Sequence, residues 1–233
     1  MPDHPPLLLI PGLMCDGRVF AAQTAAFPTA VAAPGFGAVA SLPEMASRAL
    51  AGAPERFLLL GHSMGARVAL EIWRAAPSRV LGLALVATGV HPVRPGEAEK
   101  RYALRDLGRS DGMEALVDAW LPPMIAPANR ERPGLYENLR AMCVEQGLPA
   151  YVAQTEALLG RPEIASLLPS VRCPTLVCVG AEDAWSPPDQ HAATAAALPN
   201  AILRVVEGAG HFLPVESPDG LNGAIAEWIA LAS

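Results

Sequence analysis

A serine flanked by two glycines, Gly61-His62-Ser63-Met64-Gly65, stands where a run of strand-like apolar residues turns into a helical pattern. A serine hydroxyl can attack a carbonyl carbon, but near neutral pH it needs a base to take its proton and a third group to orient that base. Of the five histidines, His211 is the candidate base, because Gly208-Ala209-Gly210-His211 forms a flexible loop directly beyond an apolar run. His4 sits in the N-terminal stretch, His62 inside the serine's own turn, His91 at the opening of a helix-rich segment and His191 in a helical stretch. Those four read as structural. The acid is sought in Val179-Gly180-Ala181-Glu182-Asp183, which ends the preceding apolar run, and there the residues alone leave Glu182 and Asp183 both open. The order serine, acid, histidine is the one expected when G-x-S-x-G lies between a strand and a helix. The competing reading, a serine that only caps a helix, leaves both loops unexplained.

The residue types follow from the turn. So sharp a strand-to-helix reversal forces the serine into a strained conformation, and neighbours without a β-carbon avoid the adjacent strand and helix. The new helix points its free N–H groups and positive dipole end at any anion formed beside Ser63. No His/Cys/Asp/Glu group has metal-ligand spacing, and no GxGxxG follows the first strand. No metal and no cofactor are expected.

The elements that must position these residues are legible as apolar runs. Leu7 to Ile10, Ala30 to Ala33, Phe57 to Leu60, Val80 to Ala87, Thr175 to Val179 and Ile202 to Val206 are too apolar to face water on either side, which marks a parallel sheet covered by helices. Helical spacing over Leu42 to Ala51, Met64 to Ala75, Pro188 to Leu198 and Pro218 to Leu231 alternates with them, predicting a doubly wound α/β fold. From Gly89 to Leu168 the alternation stops. That segment shows only helical patterns, among them Met113, Leu116, Val117, Trp120 and Leu121 with Asp111 and Glu114 as a start signal, and a second face of Leu135, Leu139, Met142 and Cys143. A helical block inserted there would sit over the strands' C-terminal ends, where ligands of such sheets bind. The expected organisation is a core of residues 1–88 and 169–233 with a lid of residues 89–168.

Composition narrows the partners. The 233 residues, 52% hydrophobic and 17% charged, suffice for one compact domain with a sizeable core. A net charge of -6 without a run of Lys or Arg argues against nucleic acid or a membrane surface, and for a small molecule. No apolar run approaches the ~18 residues of a membrane span, and the start MPDHPPLLLIPG lacks the features of a signal peptide. A cytoplasmic protein is expected, with Cys15, Cys143, Cys173 and Cys178 as free thiols.

Four stretches, LLLIPGLMCDGRVF, GHSMG, PTLVCVGAEDAWSPP and EGAGHFLPVESP, together resemble the α/β-hydrolase fold superfamily, of the single-domain type with a helical cap, along nearly the whole chain. The resemblance implies Ser63 as nucleophile, His211 as general base and then acid, and Asp183 as the orienting acid. It also implies the backbone N–H groups of Leu13 and Met64 as oxyanion donors. That family usually begins with a two-stranded hairpin, whereas only six residues precede Leu7 here. A sheet of about six parallel strands is therefore expected, with an edge to be covered or paired in a homodimer. Trp120, Met124, Met142 and Tyr151 from the lid, with Cys15, Trp185 and Phe212 from the core, are the candidate pocket residues. Their character points to a small, largely apolar carboxylic ester, with a thioester next. C–C bond, amide or lactone hydrolysis, or a triad-retaining receptor, are the alternatives the same fold admits.

Overall fold

The six apolar runs become six strands in the computed structural model, which describes residues 4–232. These are β1 (Leu7–Ile10), β2 (Ala30–Ala32), β3 (Phe57–His62), β4 (Val80–Val86), β5 (Thr175–Gly180) and β6 (Ala201–Val206). Residues 1–3 and 233, assigned to the core from sequence, lie outside the described residues. The helices are α1 (Ala21–Ala26), α2 (Leu42–Ala51), α3 (Met64–Ala75), α4 (Glu97–Ser110), α5 (Met113–Trp120), α6 (Leu135–Leu159), α7 (Pro188–Ala196), α8 (Leu213–Glu216) and α9 (Pro218–Ala232). The strands form one sheet in the order β2-β1-β3-β4-β5-β6, parallel throughout.

Parallel neighbours need crossover connections, and a right-handed crossover puts its helix on a face set by the direction of the step. The chain steps outward from β1 to β2 through α1, then back past β1 to β3 and on to β4 through α2 and α3. Hence α1 lies on one face, and α2 and α3, which pack together, on the other. α9 joins the α1 side and runs over β4, β5 and β6. Between these layers β1, β3 and β5 are buried along their whole length and β4 nearly so. The expectation that all six strands avoid water fails at the two edges. Val31 on β2 is 62% exposed and Val205 on β6 42%, because an edge strand lacks a neighbour on one flank.

No strand interrupts the chain between β4 and β5. There α4, α5 and α6 pack on one another, with Leu116, Val117, Trp120 and Leu121 buried. The start signal holds at Glu114, which lies in the first turn of α5, and is corrected at Asp111. Gly112, at φ 92, precedes α5 with no side-chain cap, and Asp111 instead closes α4. α6 is broken at Gly147 (φ 77, ψ 163), two residues before Pro149. A proline has no N–H to donate and cannot continue an unbroken helix, so the halves of α6 present different faces.

Candidate active site

The sheet's order reverses between β1 and β3, and a crevice opens beyond the C-terminal ends of strands at such a point. Ser63 stands there. Its N–H bonds the Val86 carbonyl at 2.8 Å, so the turn begins where pairing with β4 ends. The backbone at Ser63 has φ 55 and ψ -118, outside the relaxed regions for an L-residue. The flanking glycines make the turn sterically feasible. A β-carbon on Gly61 would lie 2.3 Å from the Gly65 carbonyl oxygen, and one on Gly65 2.1 Å from that of Ile10.

Two other loops close on the serine. β5 and β6 end in register at Gly180 and Val206, and the loops beyond them are cross-tied by Glu182 N–H to the Ala209 carbonyl at 2.9 Å. His211 Nε2 lies 2.8 Å from Ser63 Oγ, and His211 Nδ1 lies 2.8 Å from Asp183 Oδ2. Asp183 Oδ1 accepts from the N–H groups of Trp185 and Ser186 at 2.9 and 2.8 Å. Burial would raise the Asp183 carboxyl, but the His211 charge and these hydrogen bonds outweigh it and hold it below the usual value. Geometry thus separates the two acids left open by the residues: Asp183 is buried against His211, while Glu182 points to solvent. The loop after β1 passes close by, since a β-carbon on Gly12 would come within 3.2 Å of Ser63 Cβ. Neither the Leu13 nor the Met64 N–H has an acceptor among the described residues.

A cavity of about 310 Å³ opens on Ser63 and His211. Cys15, Trp120, Met124, Tyr151, Trp185 and Phe212 line it; Met142 does not. Met142 lies before the break in α6 and borders a second depression near Arg18 and Arg132, whereas Tyr151, after the break, reaches the first cavity. None of the four cysteines forms a disulfide. Among the described residues no three metal-ligating side chains converge, and no helix is long and apolar enough to cross a membrane.

Several residues of the site escaped the sequence reading. Glu216, 3% exposed, holds the histidine loop: its Oε2 accepts from Gly210 N–H and from Ala126 N–H of the helical segment, and its Oε1 from Phe212 N–H, all within 2.9 Å. Gln154 on α6 accepts from the N–H of Met14 (φ 59) at 2.9 Å, bracing the loop that carries Leu13. Thr88 Oγ1 donates to the Ser63 carbonyl at 3.0 Å, and Thr88 N–H donates to His191 Nε2 at 2.8 Å. Only Glu216 left a trace in sequence, as the glutamate closing GHFLPVE; the other two, Gln154 and Thr88, have no local signature.

His62 and His191 are packing residues with a titration consequence. His62 Nε2 donates to the His211 carbonyl at 2.8 Å. Burial, then the charge of His211, lowers His62 to about 3, and burial lowers His191. An unfolded chain protonates both below about pH 6.5. Below that pH the unfolded state therefore binds more protons, and stability falls as pH falls, by about 1.4 kcal/mol per pH unit from His62 alone until its folded value near 3 is reached. The urea midpoint is expected to drop clearly between pH 6.5 and 5; equal midpoints would contradict the neutral, buried state of His62.

Comparison with known proteins bears on the family and the fold. The profile of the Alpha/beta hydrolase family matches residues 7–224. A 2-hydroxy-6-oxononadienedioate/2-hydroxy-6-oxononatrienedioate hydrolase from a Pseudomonas species is 27% identical over 76% of the chain, which spans only 64% of that protein's length. A pimeloyl-[acyl-carrier protein] methyl ester esterase from Chromobacterium violaceum is 29% identical over 89% of this chain and 87% of its own. The solved structure of a thermophilic esterase from Thermogutta terrifontis superposes with TM-score 0.85 at 30% identity, covering 97% of this chain and 90% of that one.

Proposed function

Because the chain belongs to the alpha/beta hydrolase family, we propose that it is a serine hydrolase that cleaves a small carboxylic ester through an acyl-enzyme on Ser63. The observation that carries this reading is the continuous relay of two 2.8 Å hydrogen bonds, Ser63 to His211 to Asp183, on the wall of a cavity. Ser63 Oγ attacks the acyl carbon while its proton passes to His211 Nε2. Asp183 keeps Nδ1 protonated and offsets the imidazolium charge. The N–H groups of Leu13 and Met64 hold the oxyanion, each contributing about 3 kcal/mol of barrier lowering. When the carbon–oxygen bond to the alcohol breaks, His211 returns its proton to the departing oxygen. Water then attacks the acyl carbon, gives a proton to His211, and Ser63 leaves as the free hydroxyl with the acid released.

The helical segment 89–168 serves in this reading as a lid. Trp120, Met124 and Tyr151 are among the residues by which it lines the cavity, and they exclude water from the reacting carbonyl. The esterases among the relatives support an ester over a thioester. A fluorophosphonate probe followed by peptide mapping tests the chemistry. Label is expected on Ser63 alone and should be lost in His211→Ala, because the hydroxyl then has no base. Labelling of another residue, or unchanged labelling of His211→Ala, would refute the assignment.

A further inference from the structure

One part of the cavity wall is charged. Arg67, Arg94, Lys100, Arg101 and Arg161 line it together with a single carboxylate, Glu97. Glu97 is already committed: it accepts from Arg161 Nη1 and Nη2 at 2.7 Å each and from Arg101 Nη2 at 3.0 Å. Arg67 makes no ion pair among the described residues, and the Glu97 charge reaches it only from a distance. Its Nη2 donates to the His91 carbonyl at 2.8 Å, its remaining N–H groups have no acceptor among the described residues, and it is only 5% exposed. Burial, then the Arg161 charge, pulls it down to about 9; a guanidinium there is still a cation at neutral pH. An uncompensated buried cation is costly, and a planar guanidinium with free donors is shaped to receive a carboxylate side-on.

Its position on the chain gives the ligand's scale. Ser63 immediately precedes α3 and Arg67 follows four residues later, which is about 6 Å along a helix axis and nearly the same face. Both line one cavity. We propose that Arg67 forms a carboxylate-binding subsite, so that the substrate is an acidic ester whose free carboxylate pairs with Arg67 a few bonds from the carbonyl attacked by Ser63. The half-esters of short dicarboxylic acids are the simplest members of that class. The proposal sharpens the expected largely apolar ester and rests on Ser63 as the nucleophile only for the direction in which the ester points.

Monomethyl adipate and methyl hexanoate, matched in chain length and differing in one carboxylate, are the probes. Titrated into the Ser63→Ala protein, which holds ester without turning it over, monomethyl adipate is expected to bind at least ten-fold more tightly. That preference should vanish in Ser63→Ala/Arg67→Gln and persist in part in Ser63→Ala/Arg67→Lys. In the otherwise unaltered protein, Arg67→Gln should lower the ratio of kcat/KM for the acidic over the neutral ester at least ten-fold. Equal binding of the two esters by Ser63→Ala overturns the subsite, and this comparison stands even if Arg67→Gln fails to fold. A preference that survives Arg67→Gln in a folded protein also overturns it. Tight, arginine-dependent binding in a protein that hydrolyses neither ester would leave the subsite standing and refute the hydrolase reading instead.

Discussion

The Ser63→Ala protein is expected to hydrolyse p-nitrophenyl acetate about 10⁴- to 10⁶-fold more slowly than the parent and to unfold at the same urea concentration. The Ser63 hydroxyl makes one hydrogen bond, to His211, so its loss costs little packing and stability should change by no more than about 0.5 kcal/mol. What is lost is the atom that would carry the acyl group. Adding His211→Ala should slow the protein no further, since a base without a nucleophile has nothing to activate; residual rate would come from the oxyanion donors and binding alone. Parent-rate hydrolysis by Ser63→Ala would end the acyl-enzyme reading.

The largest effect on stability is expected from Gly65→Ala. The new β-carbon would sit 2.1 Å from the Ile10 carbonyl oxygen and 2.6 Å from that of Pro11. These are backbone atoms of an inner strand and of the loop that carries Leu13, so no side-chain rotation relieves the overlap. The start of α3 must lift from the sheet. A cost of about 3 kcal/mol or more follows, at the upper end of overpacking effects, and activity should fall with it as the elbow moves. Gly223→Ala is the control: in α9 its β-carbon would meet nothing within 4 Å, and helix propensity favours alanine by about 1 kcal/mol. Urea midpoints moving in opposite directions in the two proteins are expected. A Gly65→Ala protein as stable as the parent would show that the tight seating of the elbow is unnecessary.

The strands, the α/β alternation and the elbow were readable because each is written in near neighbours. An apolar run of four to eight residues declares a strand, and the glycines at 61 and 65 answer clashes made within a few residues of the turn or with the adjoining strand. Met142 and Tyr151 show where such reading stops. Both belong to α6, yet the break at Gly147 sends one to a second depression and the other to the cavity. Between Glu182 and Asp183 the residues alone left both open, and only the family resemblance favoured Asp183. Only the fold sets the N–H groups of Trp185 and Ser186 and the ring of His211 around the shorter side chain. No basic run is visible in the chain either, but folding gathers Arg67, Arg94, Lys100, Arg101 and Arg161 onto one wall.

By itself, then, the sequence determined the six-stranded parallel frame and nominated Ser63, His211 and the acidic loop, because hydrophobic patterning and backbone sterics act over a few residues. Tertiary structure decided which acid meets the imidazole, which residues of the 89–168 segment face the cavity, and that an arginine with no ion pair among the described residues waits beside the serine. Those outcomes depend on segments as much as 148 residues apart, brought together by burial of apolar surface that carries no record of the polar groups it will juxtapose.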